Sequence, residues 1–79
     1  MALMQFEGNY VNPDRVTGIT AAQTGEPFGR LWGFQVVCAG VSYLSKGYDT
    51  EARAQGHADA TAERINGAKA AREMERENL

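Results

Sequence analysis

The sequence predicts an α+β fold, with a three- or four-stranded antiparallel sheet over residues 3–46 followed by one long C-terminal helix packed on it. Up to Lys46, apolar and polar residues alternate in short stretches that glycine- and proline-containing segments separate. From Thr50 onward the composition changes to alanine and charged residues without proline, which is typical of a helix. With 79 residues in total, we expect a single domain over residues 1–79.

The strongest strand signal is LWGFQVVC, residues 31–38, in which every second side chain is large or apolar. The side chains expected on one face are those of Trp32, Phe34, Val36 and Cys38. Ala39 and Gly40 then predict a two-residue hairpin turn. The turn leads into a second strand that places Val41 and Tyr43 on the same face. We expect this face to supply most of the core.

Two upstream segments predict turns. NPDR, residues 12–15, combines a proline that fixes its own φ with Asn and Asp side chains that bond back to the backbone. QTGEPFGR, residues 23–30, predicts a loop or a long hairpin connection because it contains two glycines and a proline. Between them, VTGITA is rich in β-branched residues and predicts another strand.

The helix is predicted over residues 50–75, with a charged tail that frays. Asp49 or Thr50 is expected to cap it, since either side-chain oxygen can accept a hydrogen bond from a free backbone N–H of the first turn. Asn66 and Gly67 leave two alternatives open. They either end the helix early or lie within it at a cost of roughly 1 kcal/mol.

One side of this helix consists of small residues. Ala54, Ala58, Ala62 and Ile65 recur at spacings that place them on one face. Alanine lets a helix approach a sheet closely, so that the large side chains of the sheet fill the space between the two. The alternative is that this face docks on another helix or on a second copy of the chain.

Charge and the scarcity of reactive side chains restrict the function. The net charge is −2, whereas domains that bind nucleic acid carry a basic surplus to neutralise phosphates. Cys38 is the only cysteine and His57 the only histidine, which argues against a disulfide and against a metal site. No pair of carboxylates stands in an apolar segment that would raise a pKa. We therefore expect no cofactor and no enzymatic activity, and the charge balance disfavours direct nucleic-acid binding.

Targeting signals are also missing from the sequence. No apolar run approaches the roughly 18 residues that cross a bilayer. The first residues lack the basic region and the long apolar segment of a secretory signal. We therefore expect a cytoplasmic protein without a membrane partner.

Residues 31–62 resemble a known DNA-binding family. An aromatic strand, a glycine turn, a second strand, the segment Gly-Tyr-Asp-Thr and an alanine-rich helix follow in that order. This outline resembles the arm-site-binding N-terminal domains of tyrosine-recombinase integrases and the related plant ethylene-response-type DNA-binding domains. The resemblance implies a three-stranded sheet on one helix, with a strand face that enters the major groove. Family members carry several basic residues on that sheet, whereas the matching strands here have Lys46 and the polar Gln35, Ser42 and Ser45.

The stretch GNYVNPDRVTGI, residues 8–19, is similar to the opening of very small proteins from phages and other bacterial mobile elements. Such proteins commonly bind and block a larger host or defence protein, anti-CRISPR proteins among them. The similarity implies a non-enzymatic inhibitor that acts in the bacterial host cell. Two alternatives stay open, namely a DNA-binding module of the integrase arm-binding type and a small structural subunit of a virion or other assembly.

Two sets of side chains are candidates for contact with such a partner. Phe28 and Arg30 lie in the GEPFGR loop and are of the types enriched at binding hot spots. Alternatively, Phe28 folds back over the sheet edge. Glu51, Asp59 and Glu63 on the helix are candidates for engaging a basic, nucleic-acid-binding groove, the alternative being a solvated helix face.

A homodimer is expected as well. Leu31, Val37 and Leu44, with Ile19, are predicted to form a second apolar face on the sheet, which a single helix cannot cover. The helix is also longer than the strands beneath it. Both features predict a symmetric dimer whose helices or second sheet faces meet across a two-fold axis.

Overall fold

The computed structural model describes the backbone of residues 3–77 and the side chains of residues 3–70. Within this part, seven short strands and one 3₁₀ turn precede one α-helix. The elements are β1 (Met4–Phe6), β2 (Asn9–Val11), the 3₁₀ turn (Pro13–Arg15), β3 (Val16–Ile19), β4 (Gln23–Thr24), β5 (Trp32–Gly33), β6 (Gln35–Cys38), β7 (Val41–Leu44) and α1 (Glu51–Glu77). The predicted α+β class, antiparallel strands followed by one long helix, is confirmed.

The strands form three antiparallel sheets. The largest has the order β3-β6-β7, and the hairpins β1-β2 and β4-β5 are two-stranded. The predicted strand over residues 31–38 is divided at Phe34, whose N–H donates to the Ser45 hydroxyl at 2.9 Å. The Ser45 hydroxyl thereby accepts the hydrogen bond that the backbone of a neighbouring strand would otherwise accept. The regular strand is interrupted at this point, which separates β5 from β6.

Both predicted tight turns are present. Ala39 and Gly40 have φ values of 52° and 81° and join β6 to β7 with Val36 opposite Tyr43, the geometry of a two-residue hairpin. In the NPDR segment, the Asn12 side chain accepts the Asp14 N–H at 3.0 Å. This hydrogen bond caps the 3₁₀ turn, which the Arg15 N–H closes by donating to the Asn12 C=O at 3.0 Å, and β3 follows directly.

The core lies where α1 and the β1-β2 hairpin cover one face of the three-stranded sheet. Its buried cluster consists of Phe6, Val11, Phe34, Val36, Cys38, Ala58 and Ile65. Ala54 has 0% of its surface exposed, and Phe34, which fills the space beneath the helix, has 1%. The Phe6 and Phe34 rings pack with centroids 5.9 Å apart. The prediction that alanines allow the helix to approach the sheet closely is confirmed.

Three predicted positions differ from the structure. Trp32 is half-buried and lies outside the core cluster because β5 pairs with β4 in a separate hairpin. Val41 is 53% exposed because it follows the turn on an edge strand. Ile19 packs against the core and not on the second face, because a register shift between Val16 and Gly18 turns both Val16 and Ile19 toward the helix.

The helix begins after Thr50, whose hydroxyl accepts the Arg53 N–H at 3.2 Å. Thr50 is therefore the cap. The helix continues through Asn66 and Gly67, so the alternative of an early end is wrong. The side chains of the tail, residues 71–79, for which we predict fraying, lie outside the described part. Within residues 3–77 no helix is long and apolar enough to cross a membrane.

We expect Ala58→Leu to destabilise the fold by about 1–3 kcal/mol, because a larger side chain in this closely packed position must push α1 away from the sheet. Ala60→Leu is the matched control on the exposed side of the same turn, and it should change stability by less than about 0.5 kcal/mol. Urea unfolding followed by circular dichroism measures both. Equal effects of the two substitutions would show that the alanine contact is not close.

Gly67→Ala should stabilise the fold by about 0.8–1 kcal/mol, since Gly67 lies inside a helix and a Cβ there would meet nothing of the described fold outside its own stretch of helix within 4 Å. The same substitution at Gly40, whose φ is 81°, should destabilise. Thermal unfolding of the two variants checks the opposite signs. A destabilising Gly67→Ala would mean that the helix ends there with a left-handed glycine.

Candidate functional site

Two of the three predicted helix residues share one exposed surface. Asp59 and Glu63 are four residues apart and lie on the side of α1 away from the buried Ala58. Glu51 is exposed in the first turn of the helix. It lies seven residues before Ala58, on the sheet-facing side of the helix, and is therefore separate from the other two acids. We call Asp59 and Glu63 the acidic face. Among the described residues, neither Glu51 nor Glu63 forms an ion pair.

Hydrogen bonds hold the acidic face in place. The Gln55 amide donates to the Asp59 carboxylate at 3.0 Å. The same side chain accepts the Ala22 N–H at 2.9 Å, which ties this part of α1 to the segment before β4. The acidic face is thus carried by a helix that is fixed to the sheet scaffold.

The small neighbours of the acids are Ala52, Gly56, Ala60 and Gly67, all exposed. Because these four side chains are small, the carboxylates project beyond them. A partner surface can therefore approach the helix backbone closely while it contacts the acids.

The two predicted loop residues differ in exposure. Gly25 and Gly29 exchange backbone hydrogen bonds of 3.0 Å, which closes the loop into a compact turn. Phe28 is half-buried, and its ring lies so close to Gly33 that a Cβ there would overlap it. Arg30 is exposed beside it. No hydrogen bond or ion pair within residues 3–70 joins this loop to the acidic face, so the two sets remain separate surfaces.

A further cleft, which sequence reasoning missed, lies where the strand region meets the start of α1. It has a volume of about 500 Å³ and is lined by Leu31, Lys46, Gly47, Tyr48, Asp49, Arg53 and His57. We call it the Tyr48 cleft. Tyr48 is fixed there by two backbone hydrogen bonds of 2.8 Å with Trp32. The helix cap at residues 49–50 indicates where the helix starts, but nothing in the sequence indicates that Tyr48 and His57 meet.

The Tyr48 ring stacks on His57 with centroids 4.5 Å apart and planes 16° from parallel. The Lys46 ammonium lies 5.9 Å from the Tyr48 centroid, within cation–π range. Partial burial, and secondarily the negative charge of Glu7, raise the pKa of Tyr48 above its ordinary value.

The acidic member of this cleft is already paired. The Arg53 guanidinium donates to the Asp49 carboxylate at 3.1 Å, and this hydrogen bond and charge lower the pKa of Asp49. Lys46 supplies the ammonium group of the cleft lining, and it forms no ion pair among the described residues. The cleft is thus an open surface lined by aromatic and cationic side chains.

Metal coordination and similarity to known proteins give no further assignment. Within residues 3–70, no group of three or more His, Cys, Asp and Glu side chains lies close enough to hold a metal ion. Comparisons with protein-family models, with curated proteins and with solved structures find no match to this chain. The surfaces described above are therefore the basis of the functional argument.

The raised pKa of Tyr48 predicts a loss of stability in alkali. A group whose pKa is higher in the folded than in the unfolded state stabilises the fold below the unfolded value, near 10.0, and this contribution is lost as the pH rises through the folded pKa. Absorbance titration of the wild type minus Tyr48→Phe should therefore give a midpoint above 10.0. Tyr10→Phe, at an exposed position, controls for the loss of one chromophore, and a Tyr48 midpoint below 10.0 would contradict the expectation.

Proposed function

We propose that this chain is a non-enzymatic interaction protein of the anti-CRISPR-like kind, a phage or mobile-element inhibitor that binds and blocks a larger bacterial host or defence protein in the host cytoplasm. The observation that supports this best is the acidic face of α1. It places carboxylates that form no ion pair with any described residue on a folded helix, among small residues that let a partner approach.

Charge explains why such a face suits a nucleic-acid-binding partner. A groove that holds phosphates is lined with Lys and Arg, and an array of carboxylates presents the complementary potential. An inhibitor that occupies the groove competes directly with the nucleic acid. Because α1 is already folded and tied through Gln55 to the sheet scaffold, little ordering entropy is lost on binding.

The loop with Phe28 and Arg30 is the second proposed contact. Its compact hydrogen bonding and the packing of Phe28 on Gly33 make it a fixed projection. Arg30 adds a cation that can pair with an acidic rim outside the basic groove. We also propose that the protein acts as a homodimer, since Leu44 on the edge strand β7 is apolar and 44% exposed.

Capture from bacterial lysate tests the role of the acidic face. The double variant Asp59→Lys, Glu63→Lys reverses the charge at its centre, and we expect it to bind the captured partner at least about tenfold more weakly than the wild type, a loss of about 1.4 kcal/mol. The matched control is Glu7→Lys, Glu26→Lys, which changes the net charge equally at two exposed loop positions.

The wild type and the control should capture the same nucleic-acid-binding protein, and nucleic acid added to the lysate should compete for it. Equal capture by both double variants would remove the acidic face from the proposal. Circular dichroism of each variant should show unchanged helix content, so that a loss of binding is not a loss of folding.

DNA binding of the integrase arm type is the second candidate. The observation in its favour is that α1 covers only one face of the sheet β3-β6-β7, which leaves Gln35 and Ser42 beside Leu44 on the other. A gel-shift series separates the two candidates because phosphate contacts give steeply salt-dependent binding. The absence of a shift at about 50 mM salt would exclude this second candidate.

A further inference from the structure

We propose that the free edge of β7 pairs with the same edge of a second copy of the chain, in antiparallel orientation about a two-fold axis at Tyr43. The two three-stranded sheets would then join into one continuous sheet. This inference rests on the proposed homodimer and names the surface that forms it, which is neither the helices nor the second sheet faces.

The hydrogen-bond pattern of β6 shows which backbone groups of β7 are free. The Gln35 C=O accepts the Thr20 N–H at 2.9 Å, and the Gln35 N–H donates to the Thr20 hydroxyl, so both groups of Gln35 point toward the β3 side. Leu44 stands opposite Gln35 in the register. Its own N–H and C=O must therefore point away from β6.

The same alternation applies to Ser42. Phe34 bonds to Ser45 on the β7 side, so the groups of Val36 and Cys38 also face β7, where they pair with Tyr43 and Val41. Ser42 lies between these two pairs, and its N–H and C=O point outward. Two residues, Ser42 and Leu44, thus present two donors and two acceptors along one edge, and only β6 neighbours β7 among the described strands.

The other edge of this sheet is protected, whereas the β7 edge is not. The register shift between Val16 and Gly18 distorts β3. In addition, the Lys69 ammonium donates a hydrogen bond to the Val16 C=O at 3.4 Å. A bulge and a lysine are devices that prevent strand pairing. Val41–Leu44 contains no bulge, charge or proline.

The edge fits a copy of itself. With Tyr43 on the axis, Ser42 of each copy faces Leu44 of the other, and these two pairs exchange four hydrogen bonds. The strand carries no charge that would require a complementary one, and its exposed apolar side chains, Val41 and Leu44, flank the axis. A contact between two four-residue strands lies at the small end of interface sizes, so the dimer is expected to be weak and concentration-dependent.

Sedimentation equilibrium combined with amide hydrogen exchange tests this on the unmodified chain. Between about 10 μM and 1 mM, a range that brackets weak association, the mass should rise from 8.6 kDa toward twice that value. Exchange at the Ser42 and Leu44 amides should slow at least about tenfold in the dimer. The Tyr43 amide, bonded within one copy, should not change.

Two variants separate edge pairing from other dimers. Ser42→Pro removes an outward N–H that the monomer does not use and should stay monomeric, whereas Ser42→Thr keeps it and should dimerise. In a Cys38→Ser background, Tyr43→Cys should form an intermolecular disulfide across the axis. Val41→Cys is more exposed but lies two residues from the axis, and it should not.

Three results would overturn the proposal. One is a mass of 8.6 kDa at every concentration, and another is a dimer in which the Ser42 and Leu44 amides exchange as fast as in the monomer. The third is protection of these amides only when the captured partner is added, which would assign the edge to a strand of that partner. Because Ser42→Pro keeps the acidic face, its capture of the partner tests the proposed function independently.

Discussion

The close approach of α1 to the sheet determines the rest of this structure. A domain of this size has few large side chains to bury, and Phe34 and Val36 fill the space only because Ala54 and Ala58 present almost no side chain. Leucines at these positions would hold the helix farther away and leave the aromatic rings in contact with water. The core is thus built chiefly from the sheet and from the N-terminal hairpin, with the helix as a flat cover.

This arrangement separates the two sides of the helix by function. The buried side is committed to the sheet, while the exposed side is free to carry charge without any cost to the core. Gln55 links the two roles, since it contacts both Asp59 and the backbone of Ala22. The described residues contain no second α-helix, so the sheet keeps one uncovered face and one unprotected edge.

Local signals in the sequence were sufficient for much of the fold. The Ala39-Gly40 turn, the Asn12 turn and the alanine spacing each act over a few residues and are predicted from them, and the helix cap is narrowed to Asp49 or Thr50. The register shift in β3 could not be predicted, since one extra residue moves Ile19 to the opposite face without altering the apolar pattern. The meeting of Tyr48 with His57 depends on how the helix start docks on β5, which no short-range pattern encodes. The acidic face could be located from sequence, but its attachment through Gln55 could not.

The bridge between Trp32 and Tyr48 has a practical consequence. Trp32 is the only tryptophan, and it lies outside the buried cluster, hydrogen-bonded through its backbone to the residue that leads into α1. Its fluorescence therefore reports the docking of the helix start on the β5 hairpin and not the packing of the core. The chain thus carries its own optical probe where β5 is joined by backbone hydrogen bonds in both directions to Tyr48, three residues before α1 begins.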